Sequence, residues 1–373
     1  MRVAIIAPPW VRVPPPAYGG TEAVLDTLAR GLVGAGHDVL LFTSGDSTCP
    51  VPRDWVFETA LGLGRAGAAA ELRHAIAAYD AVADFDVVHD HTLVGPLYAD
   101  RLPWLPVVTT NHGPFESDLG PLYRAVSDRV PVIAISHHHA STAQGVNLAG
   151  VIHHGVEPND FPVGRGSGGY AAFLGRMSPD KGVHTAARVA RAAGIPLRIA
   201  AKMSEPAEFE YFSACVKPLL GAGIDYIGEL GRADKLALLG EAACLLNPIA
   251  WPEPFGMVMI EALVSGTPVV ATRSGAAPEI VTDGVTGYLC SDEESLVAAL
   301  GSLDRLDRGA CRAVVEKHFS ARRMVADHVA VYEAVVEARA QARFSSAGLD
   351  GLVVAAATEQ PRRLVQHGVD PAQ

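Results

Sequence analysis

The first half of the chain carries short, unbroken apolar runs at 3–7, 39–42, 87–88, 107–109 and 132–135, with helical or loop-like segments between them. Strands that alternate with helices predict a parallel sheet covered on both faces. The opening is the clearest unit. A strand at 3–7 leads into Pro8, Pro9, Pro14, Pro15 and Pro16, then Tyr18-Gly19-Gly20, then an apolar-periodic segment from Thr21. The prolines exclude helix from that loop, Thr21 predicts the cap of the helix that follows, and Gly36 predicts its end.

Around Val163-Gly164-Arg165-Gly166-Ser167-Gly168-Gly169 the chain turns loop-like, as a linker would. The pattern then restarts, with strands over 170–175, 197–201, 224–227, 244–247 and 268–271 and helices over 182–193, 232–242, 254–265 and from about 292. The second half repeats the architecture of the first without repeating its sequence. The expectation is an α/β protein of two Rossmann-like, doubly wound units, residues 1–162 and 163–340. Such sheets bind ligands beyond the carboxyl ends of their strands, which places the site in a cleft between the two. Helices are also expected over 309–318 and 320–340, and a flexible tail over 345–373.

At 373 residues, 49% hydrophobic and 19% charged, the chain is long enough for two cores and far from the composition of disorder. A net charge of −11 argues against sequence-independent nucleic-acid binding, which rests on clustered Lys and Arg. No apolar stretch is long enough to cross a membrane, and Met1 leads straight into a strand-like run rather than a signal sequence, so the expected setting is the cytoplasm. Cys49, Cys215, Cys244, Cys290 and Cys311 stand far apart, an odd set without a CxxC pair, and read as reduced core thiols.

The strongest chemical signal is Trp251-Pro252-Glu253-Pro254-Phe255-Gly256-Met257-Val258-Met259-Ile260-Glu261-Ala262-Leu263. Pro254 suits the first position of a helix and Gly266 its stop, which makes about 18 Å of helix. Glu253 then stands at the helix mouth. The amides of Phe255, Gly256 and Met257 are unpaired there, and with Val258 they form an anion and hydroxyl site. Glu261 lies about two turns inside, between Ile260 and Ala262, where a carboxylate needs a polar partner. A capping role and a salt bridge would account for either carboxylate alone. As a pair they predict hydrogen bonds from a ribose to Glu261 and from a sugar to Glu253.

The second signal is Phe173-Leu174-Gly175-Arg176-Met177-Ser178-Pro179-Asp180-Lys181-Gly182, a strand, a tight loop and a helix start. Arg176 and Lys181 flank the loop, a planar donor fork and a point charge able to converge on one pyrophosphate. Gly19-Gly20 leaves the backbone open to close approach by a phosphate or sugar. His112 follows Val107-Val108-Thr109-Thr110, at the carboxyl end of a first-half strand and facing the expected cleft. His89-Asp90-His91, His137-His138-His139 and His153-His154 lack the spaced carboxylate or cysteine set that defines a zinc geometry, so no metal is expected.

On these residues the sequence resembles the retaining glycosyltransferases of the GT-B fold, in particular glycosyltransferase family 4, whose signature is two Glu residues separated by seven positions. Glu253 and Glu261 match it. So does the run to Leu289, through Gly266-Thr267-Pro268-Val269-Val270, Gly275-Ala276-Ala277-Pro278-Glu279-Ile280 and Gly284-Val285-Thr286-Gly287-Tyr288-Leu289. The likeness extends to about residue 340. It implies transfer of a sugar from a nucleoside-diphosphate donor to an acceptor the sequence does not name, with anomeric configuration retained. A UDP-sugar is the first expectation for the donor and GDP-mannose the second, the base being read by backbone around Ile227-Gly228-Glu229-Leu230.

The same resemblance implies that Arg176 and Lys181 hold the diphosphate and neutralise the leaving group without a metal, and that Gly19 and Gly20 belong to the donor and acceptor loop. It places His112, in a Thr-x-His-Gly pattern, against the transferred sugar and the reacting centre. His154-Gly155-Val156-Glu157 departs from the Asn-Gly-Val-Asp of many relatives. Nucleotide-sugar 2-epimerases and catalytically silent sugar-nucleotide-binding modules would use the same architecture. The run from Glu253 to Leu289 argues against the first, and intact Glu253, Arg176 and Lys181 argue against the second.

Overall fold

A computed structural model describes the backbone of residues 1–62 and 67–357. Seven strands, β1 (Arg2–Ile6), β2 (Asp38–Thr43), β3 (Arg53–Trp55), β4 (Val87–Asp90), β5 (Val107–Thr110), β6 (Val132–Ala134) and β7 (Leu148–Val151), form the first sheet in the order β3-β2-β1-β4-β5-β6-β7. Six more, β8 (Ala171–Arg176), β9 (Leu197–Lys202), β10 (Ile224–Gly228), β11 (Cys244–Asn247), β12 (Val269–Thr272) and β13 (Gly287–Cys290), form the second in the order β10-β9-β8-β11-β12-β13. Every pairing between these strands is parallel.

The unbroken apolar runs follow from burial on both faces. In β1, Val3 and Ile5 pack with Leu25 and Leu28 of the helix Gly20–Gly34, while Ala4 and Ile6 pack with Ala78 and Tyr79 of the helix Ala68–Ala81. In the second sheet Phe173 packs with Val183 and Ala187 of the helix Val183–Ala193, and Leu245 and Val269 pack with Ile260 and Leu263 of the helix Met257–Val264. A strand covered on both faces cannot alternate apolar with polar residues without burying the polar ones.

Three local expectations change. The helix Gly20–Gly34 takes Gly19 as its N-cap and leaves Thr21 inside the first turn. The loop around 163–169 is held in place, because Arg308 donates to the carbonyls of Gly164, Gly240 and Ala242 at 3.1, 2.9 and 3.1 Å. The last helix, Ala321–Ala357, returns to the first sheet: Met324, Val325 and Tyr332 are buried with Val3, Ile5 and Leu28. Arg323 secures the crossing by donating to the carbonyls of His153 and His154 at 2.6 and 3.1 Å.

The expected tail from 345 is helical as far as Ala357, and residues 358–373 lie outside the described residues. Gly348 and Gly351 each cost a helix about 1 kcal/mol relative to Ala, too little to stop an Ala- and Val-rich segment with no proline before Pro361. All five cysteines are unpaired; four are buried and Cys215 is exposed. Among the described residues no helix is long and apolar enough to cross a membrane.

Candidate active site

The carboxyl ends of both sheets border a cavity of about 820 Å³. Gly19, Gly20 and His112 line it from the first sheet; Lys181, Glu253, Phe255, Gly256, Met257, Val258 and Glu261 line it from the second. Gly20 stands directly across from Met257, since a Cβ on it would lie 3.7 Å from that side chain. Of the expected site residues, Arg176 stands outside the wall. Its Nη2 pairs with Asp180, four residues on, at 3.1 Å, and the side chain is 40% exposed.

Glu253 is positioned by backbone rather than by a helix. The helix starts at Met257, three residues later than Pro254, because its N-cap Gly256 sits at φ +100°, which a helix cannot use. The first-turn amides therefore belong to Met257 and Val258. From the other side Gly275, at φ +56°, comes so close that a Cβ would lie 2.3 Å from the Glu253 carbonyl oxygen, and the Ala276 amide donates to that oxygen at 3.0 Å. Gly275→Ala should therefore destabilise the fold by about 1–3 kcal/mol and lower kcat by displacing Glu253. Urea unfolding beside a turnover assay checks this; unchanged values in both would mean the loop tolerates the shift.

Glu253 Oε1 accepts from Lys181 Nζ in a largely buried ion pair. Its Oε2 is buried with no hydrogen-bond partner, and so are Asn247 Nδ2 and Trp251 Nε1, all on residues that line the same cavity. Buried polar groups are almost always paired, so one acceptor and two donors open to the same cavity suit a hydroxylated ligand. Glu261, 7% exposed, accepts from Lys235 Nζ at 2.6 Å. Lys202, at the carboxyl end of β9, also lines the cavity and holds Glu205 and Glu208 at 3.1 Å each. Every Lys in the wall thus has a carboxylate partner.

Sequence reasoning missed Lys235, Lys202, Asn247, Trp251 and Glu22. Three of them carried a signal that could have found them: Asn247 closes a predicted strand, Lys202 directly follows one, and Trp251 opens the run that holds Glu253. Glu22, in the first turn of the helix Gly20–Gly34, also lines the cavity. Burial pushes its carboxyl from an ordinary 4.5 up to about 7, against a smaller opposing effect of its own backbone amide. The unfolded chain gives up this proton near 4.5 and the folded chain near 7, so Glu22 erodes stability as pH rises through that window. Glu22→Gln should remove a loss on the order of 3 kcal/mol between pH 4.5 and 8, read as a smaller drop in urea midpoint over that range. Equal drops in both proteins would refute it.

His112 Nε2 lies 2.9 Å from His91 Nδ1, one donating to the other, and its ring stacks on His154 at 5.3 Å. Burial, with His139 and His328 adding to it, pushes His112 down to about 3. It is a neutral imidazole at pH 7, suited to a hydrogen bond and not to charge stabilisation. Next to it the two halves are joined. Ser136 Oγ donates to the Pro254 carbonyl at 2.6 Å, and Glu279 accepts from the His137 and His138 amides at 2.8 and 2.7 Å and from His153 Nε2 at 2.7 Å.

Folding thus brings Glu279 to the histidine segments that lack a spaced carboxylate in sequence. Ligand atoms of His137, His153 and Glu279 lie within 4.8 Å of one another, close enough for a metal ion, although three N–H donors already occupy the carboxylate.

Two parallel α/β sheets, of seven and six strands, with a cleft at their carboxyl ends match the GT-B class of glycosyltransferase structure. The family Glycosyl transferases group 1 matches residues 162–307, and Glycosyltransferase Family 4 matches residues 18–160. The MMP alpha-(1->4)-mannosyltransferase of Mycolicibacterium hassiacum is 30% identical over 302 residues, 68% of this chain and 71% of that one. The phosphatidyl-myo-inositol mannosyltransferase of Mycolicibacterium smegmatis is 27% identical over 334 residues, 80% of this chain and 84% of that one. AviGT4, a glycosyltransferase involved in Avilamycin A biosynthesis, matches in structure with a TM-score of 0.70 and 26% identity, over 90% of this chain and 98% of that one. The chain belongs to glycosyltransferase family 4, a retaining family whose members transfer sugars from nucleotide-sugar donors.

Proposed function

We propose that this chain moves a sugar from a nucleoside-diphosphate donor to a hydroxyl acceptor without a metal ion, with a UDP-sugar as first choice and GDP-mannose as second. The observation that carries the reading is Glu253, with one oxygen on Lys181 and the other buried without a partner. A sugar hydroxyl satisfies the free oxygen. A diphosphate then competes for Lys181 from the adjoining side, joined by the first-turn amides of Met257 and Val258 at the positive end of their helix.

As the bond from the anomeric carbon to the diphosphate oxygen breaks, negative charge grows on the leaving group, where Lys181 and the amides stabilise it. The acceptor oxygen attacks from the same face and its proton passes to the leaving phosphate, so configuration is retained. Arg176 joins only by leaving Asp180. Glu261 accepts from the ribose hydroxyls, and Glu229 and Leu230, which also line the cavity, border the base. Residues 1–162, with the helix from Ala321 packed on them, form the acceptor side, and those from 163 to about 320 the donor side. The unpaired cysteines fit a reducing, cytoplasmic setting.

The test is thermal unfolding with UDP, GDP, ADP and their common sugar conjugates, in EDTA. A donor at 100 times its Kd adds about 2.7 kcal/mol of apparent stability, a rise of several degrees. The mannosyltransferases among the relatives make GDP-mannose an essential arm. Stabilisation that vanishes with EDTA would refute metal independence, and no response to any nucleotide would refute the donor site.

A further inference from the structure

A second cavity of about 230 Å³ lies beside His112 on the first sheet's side. It shares Pro8, Trp10, Thr21 and His112 with the large cavity, so a molecule seated there borders the place where the sugar is transferred. His91, Thr110 and Asn111, at the carboxyl ends of β4 and β5, contribute polar groups; Trp10 and Tyr123 contribute ring surface. The polar groups are fixed in place. Glu71, 6% exposed, accepts from the Leu93 amide at 2.5 Å. His91, 7% exposed, holds His112 through Nδ1, and its Nε2 is buried with no partner.

The charge of this wall selects its ligand. Among the described residues no Lys or Arg lines it. Burial, with His89 and His112 adding to it, pushes His91 well below the usual histidine range, so both imidazoles are neutral at pH 7. A phosphate or carboxylate entering here would lose its hydration beside the Glu71 carboxyl and gain no cation in return. A neutral ring meets no such cost. Its hydroxyls can donate to Glu71 and exchange hydrogen bonds with His91 and Asn111, while its C–H face lies on an aromatic side chain.

We propose that this cavity seats the acceptor, and that the acceptor presents to it an uncharged, hydroxylated ring, a sugar residue or cyclitol without phosphate or carboxylate. The proposal rests on the glycosyl-transfer reading of the adjoining cavity. The test is saturation-transfer NMR on the full chain, with and without the nucleotide that stabilises it. The probes are the methyl glycosides of glucose, mannose, galactose and N-acetylglucosamine and myo-inositol, each beside its phosphorylated counterpart.

At least one neutral ring should receive saturation and its phosphate should not. Trp10→Ala should weaken that binding about tenfold. Glu71→Gln keeps an acceptor for the Leu93 amide and removes the charge, and should narrow the preference against the phosphorylated ring. Preference for phosphorylated rings, no response from any neutral ring, or indifference to Trp10→Ala would overturn the proposal. The two readings fail separately: a ring that binds while no nucleotide raises the melting temperature sinks the donor reading, whereas a nucleotide response with no neutral ring bound sinks the acceptor pocket.

Discussion

Lys181→Ala should lower kcat/KM by about 100- to 1000-fold, the scale on which removal of one preorganised charge stabiliser is felt in the transition state. It should also destabilise the fold, because Glu253 would keep a buried carboxylate without its cation, a change that costs about 3–5 kcal/mol when such a pair is fully buried and less at the 14% and 15% exposure seen here. The two effects separate in the double variant Lys181→Met, Glu253→Gln, which removes both charges at once. Its urea midpoint should return toward that of the parent while turnover stays lost. Recovery of turnover together with stability would show that Lys181 serves the fold and not the leaving group.

Glu261→Ala should act on affinity and spare chemistry. Loss of charged hydrogen bonds to the ribose predicts a nucleotide Kd raised about 10- to 100-fold, with kcat at saturating donor within a few-fold of the parent. Lys235 complicates the reading, since it loses its partner and becomes a free cation in the cavity. Lys235→Ala alone is therefore the control: it leaves the Glu261 carboxylate in place and should weaken the nucleotide far less. Calorimetry with the free diphosphate, beside initial rates at high donor, tests both. A fall in kcat matching the fall in kcat/KM would move Glu261 from the ribose to the reacting centre.

Much of this molecule could be read before folding was considered. Ten of the thirteen strands fell within a residue or two of the expected runs, because a run buried on both faces has no polar position to interrupt it, whereas β3, β7 and β13, each at the edge of its sheet and only partly buried, were not foreseen. The spacing of Glu253 and Glu261 was legible for a similar reason, since the helix between them depends on near neighbours. Reading failed where a backbone left its local preference. Pro254 is a good first helical residue, yet Gly256 at φ +100° starts the helix later and moves the free amides to Met257 and Val258. For Arg176, expected on the diphosphate, the structure adds a pairing that the sequence reading did not weigh, with Asp180 four residues on.

Sequence by itself determined the class of the protein: two doubly wound parallel sheets, and the paired carboxylates with a lysine beside a tight loop. These are local features, set by the spacing of apolar residues, by Pro and Gly, and by helix caps. Only the tertiary structure decided which charges meet. Lys181 reaches Glu253 across 72 residues, Lys235 reaches Glu261 across 26, and His153 reaches Glu279 across 126. The final helix crosses back to bury Tyr332 on the first sheet, and a small pocket forms beside His112 from segments that begin near Pro8 and end at Tyr123. The first two pairings form among the loops and helices of the second sheet and the third joins the two halves, and in each a buried charge takes whichever partner the packing brings within reach.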